Sequence, residues 1–420
     1  MMSKLRIPQS FKNNYKFIEN FSYLSLLQIF NLLVPLITYP YLIRVVGPEM
    51  YGTVVFAQSI IGYFSLVIEF GFNISGTKSI SENVHDTRKI SEVVSSILLL
   101  KLMLWIICLG VLALCLWMLP VMREHKILYL FAFTFTFNEF LFPQFFFQGI
   151  EKLKYVTFIN VFTRSIFLVL VFFVIKDQSD YFKIPLLNGL GAFIGGMIAL
   201  YIVFVKEKIR FVLPSIQIMK TYFIESFTIF STKLSYNLRD KTVIVLVGIL
   251  FTKTVVAYYD LAMKLVGLFT SLYQTVPVAV LPRLIKNRNH SFSKLVFRAT
   301  IFVGVLYSLL IFIFSKQIVL FLGGEELAPA IPYVILLTIS ATFFAVNTLL
   351  NYYLIINSDK NIMLKTTFYS LFLFIALLPI LFLKCNLYVL VIIFISSIVF
   401  ETFYKLYIFN NNQSLRKWIL

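Results

Sequence analysis

The stretch YFIESFTIFSTKLSYNLRDKTVIVLVGILF (Tyr222–Phe251) decides how the chain is read. It has the apolar density of a membrane-spanning helix, yet Lys233, Arg239, Asp240 and Lys241 lie inside it. The uncharged run after Lys241 ends at Thr252. That is too short for a hydrocarbon core, which takes about 20 helical residues to cross. Either the segment stays out of the membrane or it carries its charges to membrane depth. A charge facing lipid costs about 2.5–3.5 kcal/mol on insertion scales. Several together are tolerated only where they face water or one another. The expectation is that the rest of the chain builds a watery cavity around this helix.

The composition supports a membrane setting. The 420 residues are 60% hydrophobic and 13% charged, with a mean hydropathy of +0.88. Soluble domains carry about 25% charged residues, so a soluble reading is excluded. The 47 Phe and 23 Tyr suit lipid-facing surfaces and interfacial belts. A net charge of +18 points to nucleic acid in a soluble protein. Here it is the basic excess of loops facing the cytoplasm, and no nucleic-acid partner is expected. Cys108, Cys115 and Cys385 fall in apolar runs without zinc-site spacing. No metal, cofactor or catalytic group is expected. The first apolar run is long and lacks a small-residue cleavage site, so it is expected to remain as an anchor.

Outward from the opening stretch, apolar runs predict spans at Phe21–Ile43, Thr53–Ile74, Val93–Leu119, Ile127–Gln148, Val156–Ile175 and Ile184–Val205. Tyr222–Phe251 is the seventh. Thr254–Leu281, Leu295–Phe314, Ile331–Ile356, Ile362–Leu383 and Leu387–Asn410 follow. A short turn, GPEMYG (Gly47–Gly52), joins the first two. The fold class is therefore all-α: a polytopic membrane protein of about twelve transmembrane helices. Residues 1–205 form an N-terminal six-helix lobe, 206–221 a cytoplasmic connector and 222–420 a C-terminal six-helix lobe, around a central cavity. A faint repeat supports two halves. Val46-Gly47 and Thr53-Val54-Val55 match Val247-Gly248 and Thr254-Val255-Val256 at a constant offset of 201. Twofold-repeated membrane proteins often place their site between the repeats.

Orientation follows from the loops. With both termini cytoplasmic, 23 of the 37 basic residues fall inside. Eight fall outside: Arg44, Arg123, Lys126, Lys176, Lys183, Lys253, Lys316 and Lys384. If Tyr222–Phe251 did not cross, the basic loop with Arg283, Lys286, Arg288, Lys294 and Arg298 would move outside, against the rule. The connections are short and leave no room for a soluble domain.

The intramembrane charges are the functional signal. Asp260 and Lys264 stand at i, i+4, the favoured order for a helical pair. They either neutralise each other or face the cavity. Lys233, Asn237 and Asp240 share one helical face, Lys241 borders it, and Arg239 points elsewhere. Arg164 lies well inside its span. Lys101, Glu139 and Glu401 are near enough to span ends to snorkel. Gly191 and Gly195 have helix-packing spacing. An excess of cations in an enclosed cavity asks for an anion, and Arg and Lys suit diphosphate. The expected substrate-binding set is Lys233, Arg239, Lys241, Lys264, Arg164 and Asn237. Asp240, Asp260 and Glu69 are ion-coupling candidates, and Arg44 is an interfacial anchor or an outer gate.

Three stretches resemble the Wzx polysaccharide flippases of the multidrug/oligosaccharidyl-lipid/polysaccharide exporter superfamily. They are VPLITYPYLIRVVGPEMYGTVVFAQSIIGYF (Val34–Phe64) running on to EFGFNISGTKSIS (Glu69–Ser81), FPQFFFQGIEKLKYVT (Phe142–Thr157), and AYYDLAMKLVG with VPVAVLPRL (Ala257–Gly267 and Val276–Leu284). In the third, relatives often have small residues where this chain has Tyr259-Asp260, which weakens a role for Asp260. The resemblance implies translocation of undecaprenyl-diphosphate-linked O-antigen or other surface-glycan repeat units across a bacterial inner membrane. It also implies alternating access coupled to an ion gradient. Its expected partners are the lipid-linked oligosaccharide, membrane lipids, a glycan polymerase and a chain-length regulator. Two rivals remain. A drug or metabolite exporter of the same superfamily would need an acidic, cation-binding cavity. A membrane glycan polymerase would carry a sizeable catalytic outer loop.

Overall fold

The structure, a computed structural model, describes residues 9–274, 276–277, 290–357 and 359–419. Arg283, Lys286, Arg288 and most of the Val276–Leu284 motif, singled out above, lie outside the described residues. All regular elements among those described are helical. The chain opens on α1 (Gln9–Glu69), where a turn at Gly47–Gly52 was expected between two spans. The structure compresses that turn into one residue. Gly47 alone leaves the helical region, at φ 77° and ψ 159°. Without a Cβ it reaches a conformation closed to L side chains. Pro48 then restarts the helix, because a first-turn proline needs no N–H. A second break at Phe70 and Gly71, both at positive φ, leads into α2 (Phe72–Glu82).

Helix α3 (Thr87–Met118) is capped by Asp86, whose carboxylate accepts from the backbone N–H groups of Arg88 and Lys89. After α4 (Pro120–Glu124), the expected fourth span is broken into α5 (Lys126–Phe133), a 3₁₀ turn at Thr134–Thr136, α6 (Phe137–Leu141) and α7 (Gln144–Gly149). The gap falls at Phe142-Pro143, since proline removes a donor and pushes the preceding residue out of the helical region. Next come α8 (Leu153–Val174), α9 (Lys183–Tyr201), α10 (Ile216–Leu250) and α11 (Lys253–Tyr273). Then follow α12 (His290–Gly323), α13 (Ile331–Ile356), α14 (Lys360–Leu377), α15 (Ile380–Leu383), α16 (Leu387–Asn411) and α17 (Gln413–Arg416). Among the described residues nine helical stretches are long and apolar enough to cross a membrane. The first, Ser25–Glu82, covers the first two expected spans. The broken fourth span and the charge-bearing α10 are not among the nine.

The chain forms two compact units. The first takes Tyr63–Val174 and Phe182–Phe230 with the chain up to Thr38. The second takes Tyr39–Gly62, Ile175–Tyr181 and the chain from Ser231 on. In the first, Phe70 stacks between Phe223 and Phe230, at 4.5 and 4.6 Å. Ser75 and Ser226 share a buried 2.7 Å hydrogen bond that ties α2 to α10. Gly191 and Gly195 do pack α9 on α8: a Cβ at Gly195 would lie 2.6 Å from Thr163 Cγ2. The second unit buries Tyr353, Leu349, Leu350 and Phe409 around Trp418, and the Tyr353 hydroxyl donates to the Ser293 carbonyl at 3.0 Å. Beside the repeated motif, in this unit, Gly248 abuts the Phe56 ring, and the Lys253 ammonium lies 3.5 Å from that ring's centroid.

Candidate functional site

Two charge clusters are built in the second unit. The first is sealed. Arg239 on α10 reaches Glu401 on α16, donating from Nη1 to Oε2 at 2.8 Å. Lys405, one turn beyond Glu401, donates to its other oxygen at 2.7 Å. Ser370 on α14 accepts from Arg239 at 2.7 Å, and Thr367 donates to Glu401 at 3.2 Å. Asn347 on α13 accepts from Lys405 at 3.3 Å and donates to Thr402 at 2.9 Å. Arg239 is 3% exposed, Glu401 1% and Lys405 0%. Charges this dry survive because each finds opposite charge and hydrogen bonds at contact distance. Asp240 accepts from Arg239 Nε at 3.0 Å, which makes the four charges sum to zero. The chemical consequence is a brace across α10, α13, α14 and α16.

The expectation that Glu401 snorkels is therefore corrected: its carboxylate is held inward by two cations. Lys101 is corrected likewise, being 1% exposed with its ammonium 5.5 Å from the centroid of Phe145. Glu139 is half-buried and accepts from Asn138 at 3.4 Å. Lys405 was missed because it reads as part of the basic C-terminal segment. Its signal was the Glu401–Lys405 spacing, the same i, i+4 order as Asp260–Lys264.

The second cluster is half open. Asp260 and Lys264, on successive turns of α11, form an ion pair. Tyr51 of α1 joins it: Lys264 donates to the phenol oxygen at 3.0 Å, and the phenol O–H donates to Asp260 Oδ2 at 3.4 Å. The Lys264 ammonium also stands 4.9 and 5.3 Å from the ring centroids of Tyr39 and Tyr51. Those two rings meet edge-on at 5.2 Å. The Lys264 side chain is 31% exposed and that of Asp260 15%. Neither tyrosine was singled out from sequence, because their partners lie more than 200 positions away.

The other candidates fall in varied settings. Lys233, Asn237 and Asp240 are all half-buried, in keeping with their shared face of α10. The Asn237 amide donates to the Lys233 carbonyl at 2.9 Å, within its own helix. Lys241 lies against Gly62 of α1, where a Cβ would come within 2.5 Å of its ammonium. Exposed Arg44 donates to the Phe321 carbonyl at 3.2 Å. Arg164 and Glu69 belong to the first unit. Glu69 accepts from the N–H groups of Gly71 and Asn73 at 3.1 and 3.3 Å, satisfying the start of α2. Arg164, half-buried on α8, has no hydrogen bond or ion pair among the described residues. The first unit also contains a cavity of about 520 Å³. Glu82, Glu92, Glu225, Lys78, Tyr222 and Thr221 are among its lining residues, and it holds none of the candidate cations.

Long apolar helices with charged groups networked inside the protein define a polytopic membrane transport protein. Residues 17–288 match the model of the family described as "Polysaccharide biosynthesis protein". The chain belongs to that family. A "Putative O-antigen transporter" of Escherichia coli (strain K12) is 25% identical over 272 residues, 65% of this chain and 66% of that protein. Another, of Shigella dysenteriae, is 26% identical over 313 residues, covering 73% and 78%. Among solved structures, the lipid II flippase MurJ in an inward closed conformation matches with a TM-score of 0.73 at 13% identity, over 95% of this chain and 89% of that one. An inward-facing multidrug resistance transporter of the MATE family matches with a TM-score of 0.72 at 12% identity, over 91% and 96%. At such identities the likeness establishes the fold.

Proposed function

We propose that the protein is a flippase for undecaprenyl-diphosphate-linked repeat units of O-antigen or another surface polysaccharide, working across the bacterial inner membrane with both termini cytoplasmic. The observation that carries this reading is Arg164: a half-buried guanidinium inside an apolar helix, with no protein partner among the described residues. Such a group is costly unless an anion comes to it. Lys264, Lys233 and Lys241 supply further half-buried cations, and a diphosphate is an anion that Arg and Lys both bind well. Arg239 serves the set indirectly, since its guanidinium is occupied by Glu401, Asp240 and Ser370. Residues 1–205 and 222–420 act as lobes that open alternately. Asp240, Asp260 and Glu69 are the carboxylates through which an ion gradient acts, and Arg44 serves at the outer gate. A polymerase and a chain-length regulator take up the delivered units. The relatives described as O-antigen transporters support the substrate class.

The test is Lys264→Glu in a strain lacking the endogenous protein, with surface glycan measured at matched protein level. We expect surface glycan to be lost and lipid-linked units to accumulate on the inner leaflet. Normal surface glycan defeats the reading.

One observation favours a second reading, export of cationic compounds. Three carboxylates and one lysine line the cavity of the first unit, which also offers Ile74, Ile218 and Tyr222 for an apolar body. If Glu92→Gln and Glu225→Gln together raise sensitivity to organic cations while surface glycan stays normal, this second reading gains over the first.

A further inference from the structure

Lys264 presents a chemical difficulty for any anion that would use it. Its ammonium is already held by Asp260, so turning outward to a phosphate oxygen means breaking an ion pair and leaving a largely buried carboxylate behind. An uncompensated carboxylate in that setting opposes the exchange. The geometry around the pair supplies the remedy. The Tyr51 phenol is within 3.0 Å of the Lys264 ammonium and 3.4 Å of Asp260 Oδ2. A hydroxyl is both donor and acceptor and turns freely about its C–O bond. While Lys264 is paired, the phenol oxygen accepts from it and the O–H makes a long donation to Asp260 at 3.4 Å. Once Lys264 turns outward, that O–H is a donor already in place on Asp260 and can shorten its hydrogen bond.

We propose that Tyr51 is a positioning residue whose existing hydrogen bond holds Asp260 when Lys264 moves from that carboxylate to a substrate diphosphate. The inference rests on the proposed function, and it assigns a role to a residue that the reading does not otherwise use. No proton changes owner. Lys264 stays an ammonium, Asp260 a carboxylate and Tyr51 a phenol, and only the hydrogen-bond partners exchange. The side-chain exposures fit the direction, since Lys264 at 31% is the partner open to the outside and Asp260 at 15% is the one left behind. Tyr39 keeps the exchange local. Its ring faces the ammonium at 4.9 Å and meets the Tyr51 ring edge-on, so the cation leaves Asp260 beside an aromatic wall that attracts it.

The experiment is equilibrium binding of geranyl diphosphate, a short prenyl diphosphate, to the full-length protein in lipid nanodiscs without an ion gradient. Lys264→Ala should lose the Lys264-dependent part of binding. Tyr51→Phe should weaken binding about tenfold, the scale of one hydrogen bond to a charged group. Asp260→Asn should tighten it about fivefold, because the internal competitor for Lys264 is gone. In the Asp260→Asn background Tyr51→Phe should then cost less than about twofold, since no carboxylate needs the phenol. A merely structural Tyr51 predicts the same loss in both backgrounds, and that additivity overturns the exchange. If Lys264→Ala binds like the wild type, the diphosphate assignment fails and takes the exchange with it. If Lys264→Ala loses binding while Tyr51→Phe and Asp260→Asn do not change it, the diphosphate assignment stands and the role of Tyr51 falls alone.

Discussion

Glu401–Lys405 on α16 and Asp260–Lys264 on α11 share a spacing, a charge order and a unit, yet their surroundings differ in every other respect. The first pair is sealed and shares its carboxylate with Arg239, so each charge is satisfied inside the protein. The second is part exposed and bordered by two tyrosine rings. An i, i+4 acid–base pair inside a membrane helix is thus ambiguous by itself. The third group decides its role. A guanidinium from another helix closes the first pair into a brace, whereas a phenol leaves the second free to exchange.

The largest expected effect comes from breaking the sealed cluster at its centre. Glu401→Ala leaves Arg239 and Lys405 buried without their shared anion, and removing one partner of such a network costs about 3–5 kcal/mol. The variant should fail to accumulate in the membrane, or melt far below the wild type in a detergent thermal-shift assay. Lys264→Ala should melt within a few degrees of the wild type while losing surface glycan, because its site is half open and Asp260 keeps the hydrogen bond from Tyr51. If both variants unfold alike, the contrast between the clusters is wrong.

Arg164→Ala on α8 is next in size. Removal of a cation without a protein partner should leave folding intact, or improve it slightly, since the variant no longer holds a half-buried charge in an apolar helix. Export should fall about fivefold if Arg164 meets the substrate diphosphate. Unchanged export together with a raised melting temperature would mark Arg164 as a group facing lipid headgroups.

Much of this was legible in the sequence, and the failures have a common physical cause. Apolar density gave the helical membrane fold, and spacing alone paired Asp260 with Lys264. Gly47 was read as marking a turn, and it makes one, shorter than GPEMYG suggested because Pro48 restarts the helix at once. What escaped were partners set by tertiary packing. Glu401 reaches Arg239 across 162 positions and Tyr51 reaches Lys264 across 213. A snorkelling assignment assumes that a charge near a span end finds water, and it fails when a nearer counter-charge arrives from another helix. Lys405 was hidden for the converse reason, since a lysine near a basic terminus looks like loop charge until Glu401 is seen one turn before it.

The smallest expected effect is also the sharpest test of the contrast. If the sealed cluster is only a brace, its charges are dispensable as a set. Replacing a buried ionic triad by apolar side chains of similar volume is often neutral or stabilising, because the desolvation cost disappears along with the attraction. Arg239→Met, Glu401→Leu and Lys405→Met together should therefore leave melting within about 1 kcal/mol of the wild type. Asp240 loses its partner in this variant, but its side chain is 38% exposed and water can take over. Surface glycan should persist near the wild-type level. Loss of glycan in a triple variant that melts normally would mean that Arg239 leaves Glu401 during the cycle and meets the substrate itself. The two clusters would then be two stages of one cation path, with the sealed one closed only in the state described.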